Sequence, residues 1–99
     1  MELMKTSFYL NDKAKHIQQV LNFEKTKIIN IQLRQGETIP EHEVDADVVI
    51  IVKSGKVKFV IEGQPAEVST ERILYMVPHE KHSLTAIEAS DLIVMQIKR

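Results

Sequence analysis

The stretch Val48-Val49-Ile50-Ile51-Val52-Lys53-Ser54-Gly55-Lys56-Val57-Lys58-Phe59-Val60-Ile61 decides the fold. Its first part is an unbroken apolar run rich in β-branched residues, which is typical of a strand buried on both faces. Its second part alternates polar and apolar residues, which is typical of a strand with one buried face. The pattern predicts a hairpin that turns at Ser54-Gly55 and ends at a second turn near Gly63 and Pro65.

Short segments on both sides of this stretch have the same character. They are bounded by turn residues such as Arg34-Gln35-Gly36 and Pro78, and most are rich in β-branched residues. The segments are Lys27–Leu33, Ile73–Val77, Ser83–Ile87 and Leu92–Ile97. Many short strands at close spacing predict an all-β fold, a small antiparallel β-barrel.

The N-terminal part of the chain carries a different pattern. Apolar residues at Ile17, Val20 and Leu21 have helical spacing within Lys13–Lys25, and Asn11 or Asp12 is a suitable N-cap. The sequence therefore predicts one short N-terminal helix. We interpret residues 1–26 as a segment that packs on a barrel formed by residues 27–99, within a single domain.

Composition excludes several classes of function. With 99 residues, 43% of them hydrophobic, the chain has room for one core. The net charge is -1 with both signs interspersed, so no nucleic-acid partner is expected. The chain contains no cysteine, which excludes disulfide scaffolds and thiolate metal sites. No apolar run is long enough to cross a bilayer, and a cytoplasmic protein with no membrane partner is the expectation.

Gly36, His42 and Gly55 carry a resemblance to a known family. Their spacing resembles the first motif of the cupins, in which glycine is followed after five residues by His-x-His, after three more by Glu, and after six more by Gly. Val44 stands where the second histidine belongs, and Val48 stands where the glutamate belongs. The resemblance implies the metal-binding cupin scaffold with two of its ligands replaced.

The second cupin motif would cover Glu71–Ala86, and of its residues only His82 is retained. The motif's glycine, proline, second glycine and asparagine are replaced by Glu71, Val77, His79 and Ala86. The resemblance spans about residues 28–97. It implies a RmlC-like double-stranded β-helix, a jelly-roll-like barrel with a degenerate metal site, and by analogy with dimeric cupins a homodimer.

Strand alternation places the candidate pocket residues. Side chains of a continuous strand alternate between faces, so His42, Val44, Val48 and Ile50 would share the face that lines the barrel. The sequence predicts a ligand pocket lined by His42, Val44, Val48, Ile50, Tyr75 and His82. The catalytic residues, if any, are not identified by this pattern.

The ligand count argues against a metal. Transition metals in proteins generally take three or more protein ligands, and His42 and His82 supply two. We expect no tightly held metal or other cofactor, unless His79 or Glu80 on the neighbouring loop completes a site for a divalent transition metal. His16 is interpreted as a solvated surface residue.

Three functions of different classes follow. The first is a stand-alone cupin-fold protein that binds a small organic molecule in the barrel without a metal. The second is a cupin enzyme, metal-dependent or metal-free, of the dioxygenase, isomerase or decarboxylase type, using His42 and His82. The third is a non-catalytic dimeric interaction or regulatory protein whose barrel is filled by its own side chains.

The predicted partner besides the ligand is a second copy of the chain. Val49 and Ile51 would point away from the barrel interior on a strand that is apolar on both faces. Such side chains need a cover, either the N-terminal segment or a second subunit. A homodimer is the expectation.

Overall fold

The computed structural model describes all 99 residues and contains nine strands and no helix. In chain order, the strands β1 to β9 run over Lys15–Phe23, Thr26–Leu33, Thr38–His42, Asp47–Ser54, Lys56–Ile61, Gln64–Ser69, Ile73–Met76, His82–Ala86 and Ser90–Ile97. No helical segment is long and apolar enough to span a bilayer.

The strands form two antiparallel sheets that face each other across one core. The five-stranded sheet has the order β1-β2-β9-β4-β7, and the four-stranded sheet has the order β3-β8-β5-β6. All paired strands are antiparallel. The predicted all-β antiparallel barrel is confirmed.

The predicted N-terminal helix is wrong, because Lys15–Phe23 is an edge strand paired with β2 over its whole length. A β-bulge between Gln19 and Leu21 leaves Val20 as an extra residue. The extra residue shifts the period-two alternation, so apolar residues recur at intervals that imitate helical spacing. Residues 15–23 are therefore part of the five-stranded sheet itself.

The predicted hairpin at Ser54-Gly55 is also wrong. β4 pairs with β7 and β9, whereas β5 pairs with β6 and β8, so Gly55 is the corner where the chain passes from one sheet to the other. Gly55 has a positive φ of 89°, and a Cβ at this position would lie 2.7 Å from the Cα of Ser90. Only glycine allows this close approach in that conformation.

The second predicted turn is present, and it joins a strand that the sequence pattern did not suggest. β5 and β6 form a hairpin through Glu62 and Gly63, whose φ angles of 47° and 78° fit a type I′ turn. Pro65 lies in β6, at the edge of the four-stranded sheet, where a residue without a backbone N–H is tolerated.

The core lies between the two sheets and is continuous with the walls of the cavity described below. Its fully buried members come from both sheets and include Leu33, Val57, Phe59 and Leu92. In β4 the predicted alternation holds, because Val48, Ile50 and Val52 are buried and the residues between them are half-buried on the opposite face.

The N-terminal segment before β1 lies on the outer face of the five-stranded sheet. The backbone N–H of Tyr9 donates to Oε1 of Gln32 at 2.9 Å, and the Gln32 amide donates to the carbonyl of Ser7 at 2.7 Å. His16 is thereby covered: it is 9% exposed, and its ring centroid lies 4.1 Å from that of Tyr9. The interpretation of His16 as a solvated residue is wrong, since the N-terminal segment packs on it.

Candidate functional site

The half of the barrel away from Gly55 contains a cavity of about 180 Å³ that opens at the end of the barrel. We call this end the mouth; it is where β3 ends at His42 and β8 begins at His82. Nine of the twelve lining residues are hydrophobic. The lining residues are Ile17, Ile29, Ile31, Ile39, His42, Val48, Ile50, Phe59, His82, Leu84, Val94 and Gln96.

The walls follow from strand register. Ile50 lies opposite Val94, and Val94 lies opposite Ile29, so one row of inward side chains crosses three strands of the five-stranded sheet. Phe59 and Leu84 face this row from the four-stranded sheet, where they are paired with each other. The apolar wall is therefore built by both sheets, which gives the cavity a rigid support.

The two histidines are neighbours at the mouth. His42 of β3 and His82 of β8 are register partners, and their ring centroids lie 4.2 Å apart with the planes tilted by 58°. His82 is 5% exposed, whereas His42 is exposed. The pair retained from the two cupin-like motifs is thus brought together at one site.

Backbone carbonyls fix the same tautomer in both rings. Nδ1 of His42 lies 3.1 Å from the carbonyl oxygen of Pro40, and Nδ1 of His82 lies 2.9 Å from that of Glu80. A carbonyl oxygen only accepts, so each Nδ1 carries the proton and each Nε2 of a neutral ring keeps its lone pair. Neither Nε2 bonds a protein group. Because no fully buried side-chain polar atom of the protein lacks a partner, the unbonded Nε2 of His82 is not fully buried, and it is open to the cavity that this ring lines.

Burial favours the neutral form of the inner ring. Desolvation lowers the pKa of His82 below its usual 6.5 and outweighs the hydrogen bond to the Glu80 carbonyl, which raises this pKa; the neighbouring His42 adds a smaller lowering effect. At neutral pH this ring is therefore a hydrogen-bond acceptor toward the cavity. It can accept a proton or a hydrogen bond from a hydroxyl or amine of a bound molecule.

Two of the predicted pocket residues lie elsewhere. Tyr75 is 56% exposed and lies on the outer face of β7, because its neighbour Met76 takes the inward position opposite Val48. Its hydroxyl donates to Oδ1 of Asp47 at 2.6 Å. Val44 packs against the core but not on the cavity, because β3 ends at His42 and the strand does not continue through it to β4.

The loop residues considered as a third metal ligand face other partners. Nε2 of His79 lies 3.1 Å from Oδ1 of Asp45, and Oε1 of Glu80 accepts the backbone N–H of Val77 at 2.8 Å. The structure contains no group of three or more His, Asp or Glu side chains placed to hold a metal ion. The His42–His82 pair therefore lacks a third side-chain ligand in this arrangement.

Sequence reasoning missed the polar group opposite the histidines. Gln96 lines the cavity from β9, where it follows Leu92 and Val94 on the inward face. The signal was present, since an apolar strand with one polar residue at an inward position marks a polar spot in a pocket wall. Ile17 was missed because its segment was interpreted as a helix.

Comparison with solved structures identifies the fold. A RmlC-like cupin family protein with a double-stranded β-helix fold from Methanocaldococcus jannaschii has a TM-score of 0.84 and 23% identity, over 99% of this chain and 91% of that chain. A RmlC-like cupin protein from Desulfovibrio desulfuricans has a TM-score of 0.82 and 18% identity, over 98% and 94%. The cupin domain of an XRE family transcriptional regulator from Enterobacter cloacae has a TM-score of 0.76 and 15% identity, over 88% of this chain and 99% of that chain.

The sequence matches no protein-family model and no curated protein. The agreement with the three solved structures covers nearly the whole chain, so the protein has the cupin fold. The resemblance of the Gly36 to Gly55 segment to the first cupin motif predicted this fold. At these identities the likeness concerns the fold alone.

Proposed function

We propose that the barrel binds a small organic molecule in the cavity at its mouth, without a tightly held metal. The observation that carries the proposal is the cavity itself, which is apolar on nine of its twelve lining residues and polar only at His42, His82 and Gln96. A mostly apolar concavity with a few convergent polar groups is the usual form of a small-molecule site.

The volume limits the size of the molecule. An apolar protein cavity of about 150 Å³ holds benzene, so a cavity of about 180 Å³ suits a body of about six to eight non-hydrogen atoms. At about 0.5 to 0.7 kcal/mol for each of about eight atoms, the expected binding free energy is about 4 to 5.5 kcal/mol. That corresponds to a Kd of about 1 mM to 0.1 mM for a generic ligand.

A titration with hexan-1-ol, followed by amide chemical shifts, tests the proposal. Saturable shifts are expected at residues that line the cavity, such as Val94 and Leu84. Ile50→Phe places a larger side chain in the cavity and is expected to abolish the saturable shifts. Ile87→Phe makes the same change at an exposed site outside the cavity and outside the apolar face of the five-stranded sheet, and is the matched control.

Two results contradict the proposal. One is the absence of saturable shifts at cavity residues in the wild-type protein. The other is binding that persists in the Ile50→Phe variant. If Ile50→Phe does not fold, Ile29→Phe makes a similar change from the neighbouring strand.

The His42–His82 pair supports a second candidate, an enzyme that moves a proton with a neutral imidazole. Both rings keep an Nε2 lone pair at the mouth, as their contacts with Pro40 and Glu80 require. A proton acceptor with a pKa below neutrality suits abstraction of a proton from a bound molecule. Such an enzyme would be either metal-dependent or metal-free, and elemental analysis of the protein after incubation with iron, zinc, manganese or nickel separates the two. Stoichiometric metal that is lost in His42→Ala would favour the metal-dependent enzyme.

We also propose that the functional unit is a homodimer. Register places two apolar rows across β9, β4 and β7 on the outer face of the five-stranded sheet, and the N-terminal segment bonds to one end of this face, at Gln32 and Lys53. The apolar side chains of this face are Ile28, Val49, Ile51, Ile73, Tyr75, Ile93, Met95 and Ile97. A continuous apolar face of this kind is typical of a symmetric subunit interface. The cytoplasmic location stays a prediction.

A further inference from the structure

A second cavity, of about 150 Å³, lies at the mouth beside the apolar one. Gln96 lines both cavities, so they meet at this side chain. The second cavity is polar: only one of its seven lining residues is hydrophobic. The lining residues are Asn22, Glu24, Lys25, Lys27, Ala46, Gln96 and Lys98.

Strand alternation aligns the two cavities along the same two strands. On β2 the inward positions run from Leu33 through Ile31 and Ile29 to Lys27, which lies opposite Gln96. On β9 they run from Leu92 through Val94 to Gln96, and Lys98 follows two residues later. On both strands the inward side chains are therefore apolar deep in the barrel and end in a lysine ammonium group at the mouth. On β9 the Gln96 amide lies between the apolar side chains and Lys98.

The lysines of the second cavity have no anionic partner in the protein. Lys25, Lys27 and Lys98 take part in none of the five salt bridges and donate no side-chain hydrogen bond. Glu24 is the one carboxylate among the lining residues. The cavity thus carries a formal charge of +2, three lysines less one glutamate, in a chain whose net charge is -1.

Other carboxylates near the mouth are already engaged. Asp47 accepts two hydrogen bonds of 3.1 Å from Arg99 and one from the Tyr75 hydroxyl. Asp45 lies 3.1 Å from Nε2 of His79. These acids are held by their own partners, which leaves the lysine cluster available to a ligand.

We propose that Lys25, Lys27 and Lys98 form an anion subsite for the molecule bound in the barrel. This inference rests on the proposed function and names the class of its ligand: a compact organic acid of about six to eight carbons that ends in one carboxylate. The body occupies the apolar cavity, the Gln96 amide donates to the carboxylate, and the ammonium groups of Lys27 and Lys98 neutralise its charge. The carboxylate is thereby placed on the five-stranded sheet, away from the neutral His82.

A matched pair of probes tests the subsite in the full-length protein. Hexanoate and hexan-1-ol have the same chain length and differ in the terminal charge. We expect hexanoate to bind about five- to tenfold more tightly than hexan-1-ol, since each partly exposed ion pair contributes modestly. The advantage is expected to shrink between about 0.02 M and about 0.3 M salt, because exposed charges are screened.

The variant K27Q/K98Q removes two of the three ammonium groups. It is expected to weaken hexanoate binding about fivefold and to change hexan-1-ol binding less than about twofold. The control K5Q/K58Q makes the same change in net charge at two exposed lysines outside both cavities and is expected to leave both affinities unchanged.

The outcomes separate this inference from the proposed function. If hexan-1-ol binds in the barrel but hexanoate binds no more tightly, or if K27Q/K98Q leaves the preference for hexanoate unchanged, the subsite is refuted and ligand binding stands. An equal loss of hexanoate affinity in K5Q/K58Q would also refute it, because the effect would then come from net charge alone. If neither probe shifts the cavity amides, both proposals fail.

Discussion

Replacement of Gly55 by alanine tests the close packing at the corner between the two sheets. A Cβ at this position would lie 2.7 Å from the Cα of Ser90 and closer still to Oγ of Ser90 and to the carbonyl oxygen of Ala89. Ser90 cannot move freely, since its hydroxyl donates to the Glu88 carbonyl at 2.8 Å, with the Lys56 carbonyl also at 3.1 Å, and accepts the N–H of Lys56 at 3.0 Å. The alanine must therefore displace backbone or break these hydrogen bonds.

Alanine variants at two other glycines serve as controls, because they carry the cost of the backbone conformation without the clash. Gly36 and Gly63 also have positive φ, 85° and 78°, but a Cβ at either would meet nothing within 4 Å. An L-residue in the left-handed region costs about 1 to 2 kcal/mol, which all three alanine variants share. Overpacking at Gly55 adds about 1 to 3 kcal/mol, and loss of a Ser90 hydrogen bond adds about 1 kcal/mol.

Urea unfolding of the three alanine variants measures the difference. Gly55→Ala is expected to lower the free energy of unfolding by at least about 2 kcal/mol more than Gly36→Ala or Gly63→Ala. For a domain of this size the same difference lowers the melting temperature by at least about 8 °C relative to the controls. A Gly55→Ala variant within about 0.5 kcal/mol of both controls would refute the account of this corner.

Two further predictions concern the histidine pair and the outer face. Because the pKa of His82 is lowered in the folded protein, the unfolded chain takes up the proton first, and stability is expected to fall as pH drops below about 6.5. His82→Gln should flatten the pH dependence of urea unfolding in this window, and an unchanged slope would contradict the buried neutral ring. Light scattering at micromolar concentration is expected to give the mass of two chains for wild type and of one chain for Ile73→Lys, whose side chain is 68% exposed on the apolar face. Ile87→Lys, at a 39% exposed site elsewhere, should stay dimeric. A single-chain mass for the wild type would refute the dimer.

The sequence was sufficient for the architecture because turn glycines and alternating strands report directly on local geometry. The segment Lys56–Ile61 is a strand with the predicted bounds, and the inward positions of β4 follow from alternation. The same local signals failed at Gly55, because a tight corner between sheets and a hairpin turn both require glycine. Which strands pair is decided by tertiary packing that the local pattern does not contain.

Errors of one residue explain most of what was missed at the site. The bulge at Val20 disguised an edge strand, and Tyr75 was assigned to the pocket although its neighbour Met76 takes the inward position. His42 and His82 were identified from motif spacing, but their contact depends on the pairing of β3 with β8. The lysine cluster was not foreseen, because it requires the alignment of β2 with β9 at the mouth.

The most direct test of the central claim is an intermolecular nuclear Overhauser measurement between hexan-1-ol and the methyl groups of the protein. Binding inside the barrel predicts cross-peaks to inward methyl groups of Ile50, Val94 and Leu84, and none to Ile51 and Ile93 on the outer face. Cross-peaks confined to Ile51 and Ile93, or none at any cavity methyl group at saturating alcohol, would contradict the claim that this barrel binds a small organic molecule.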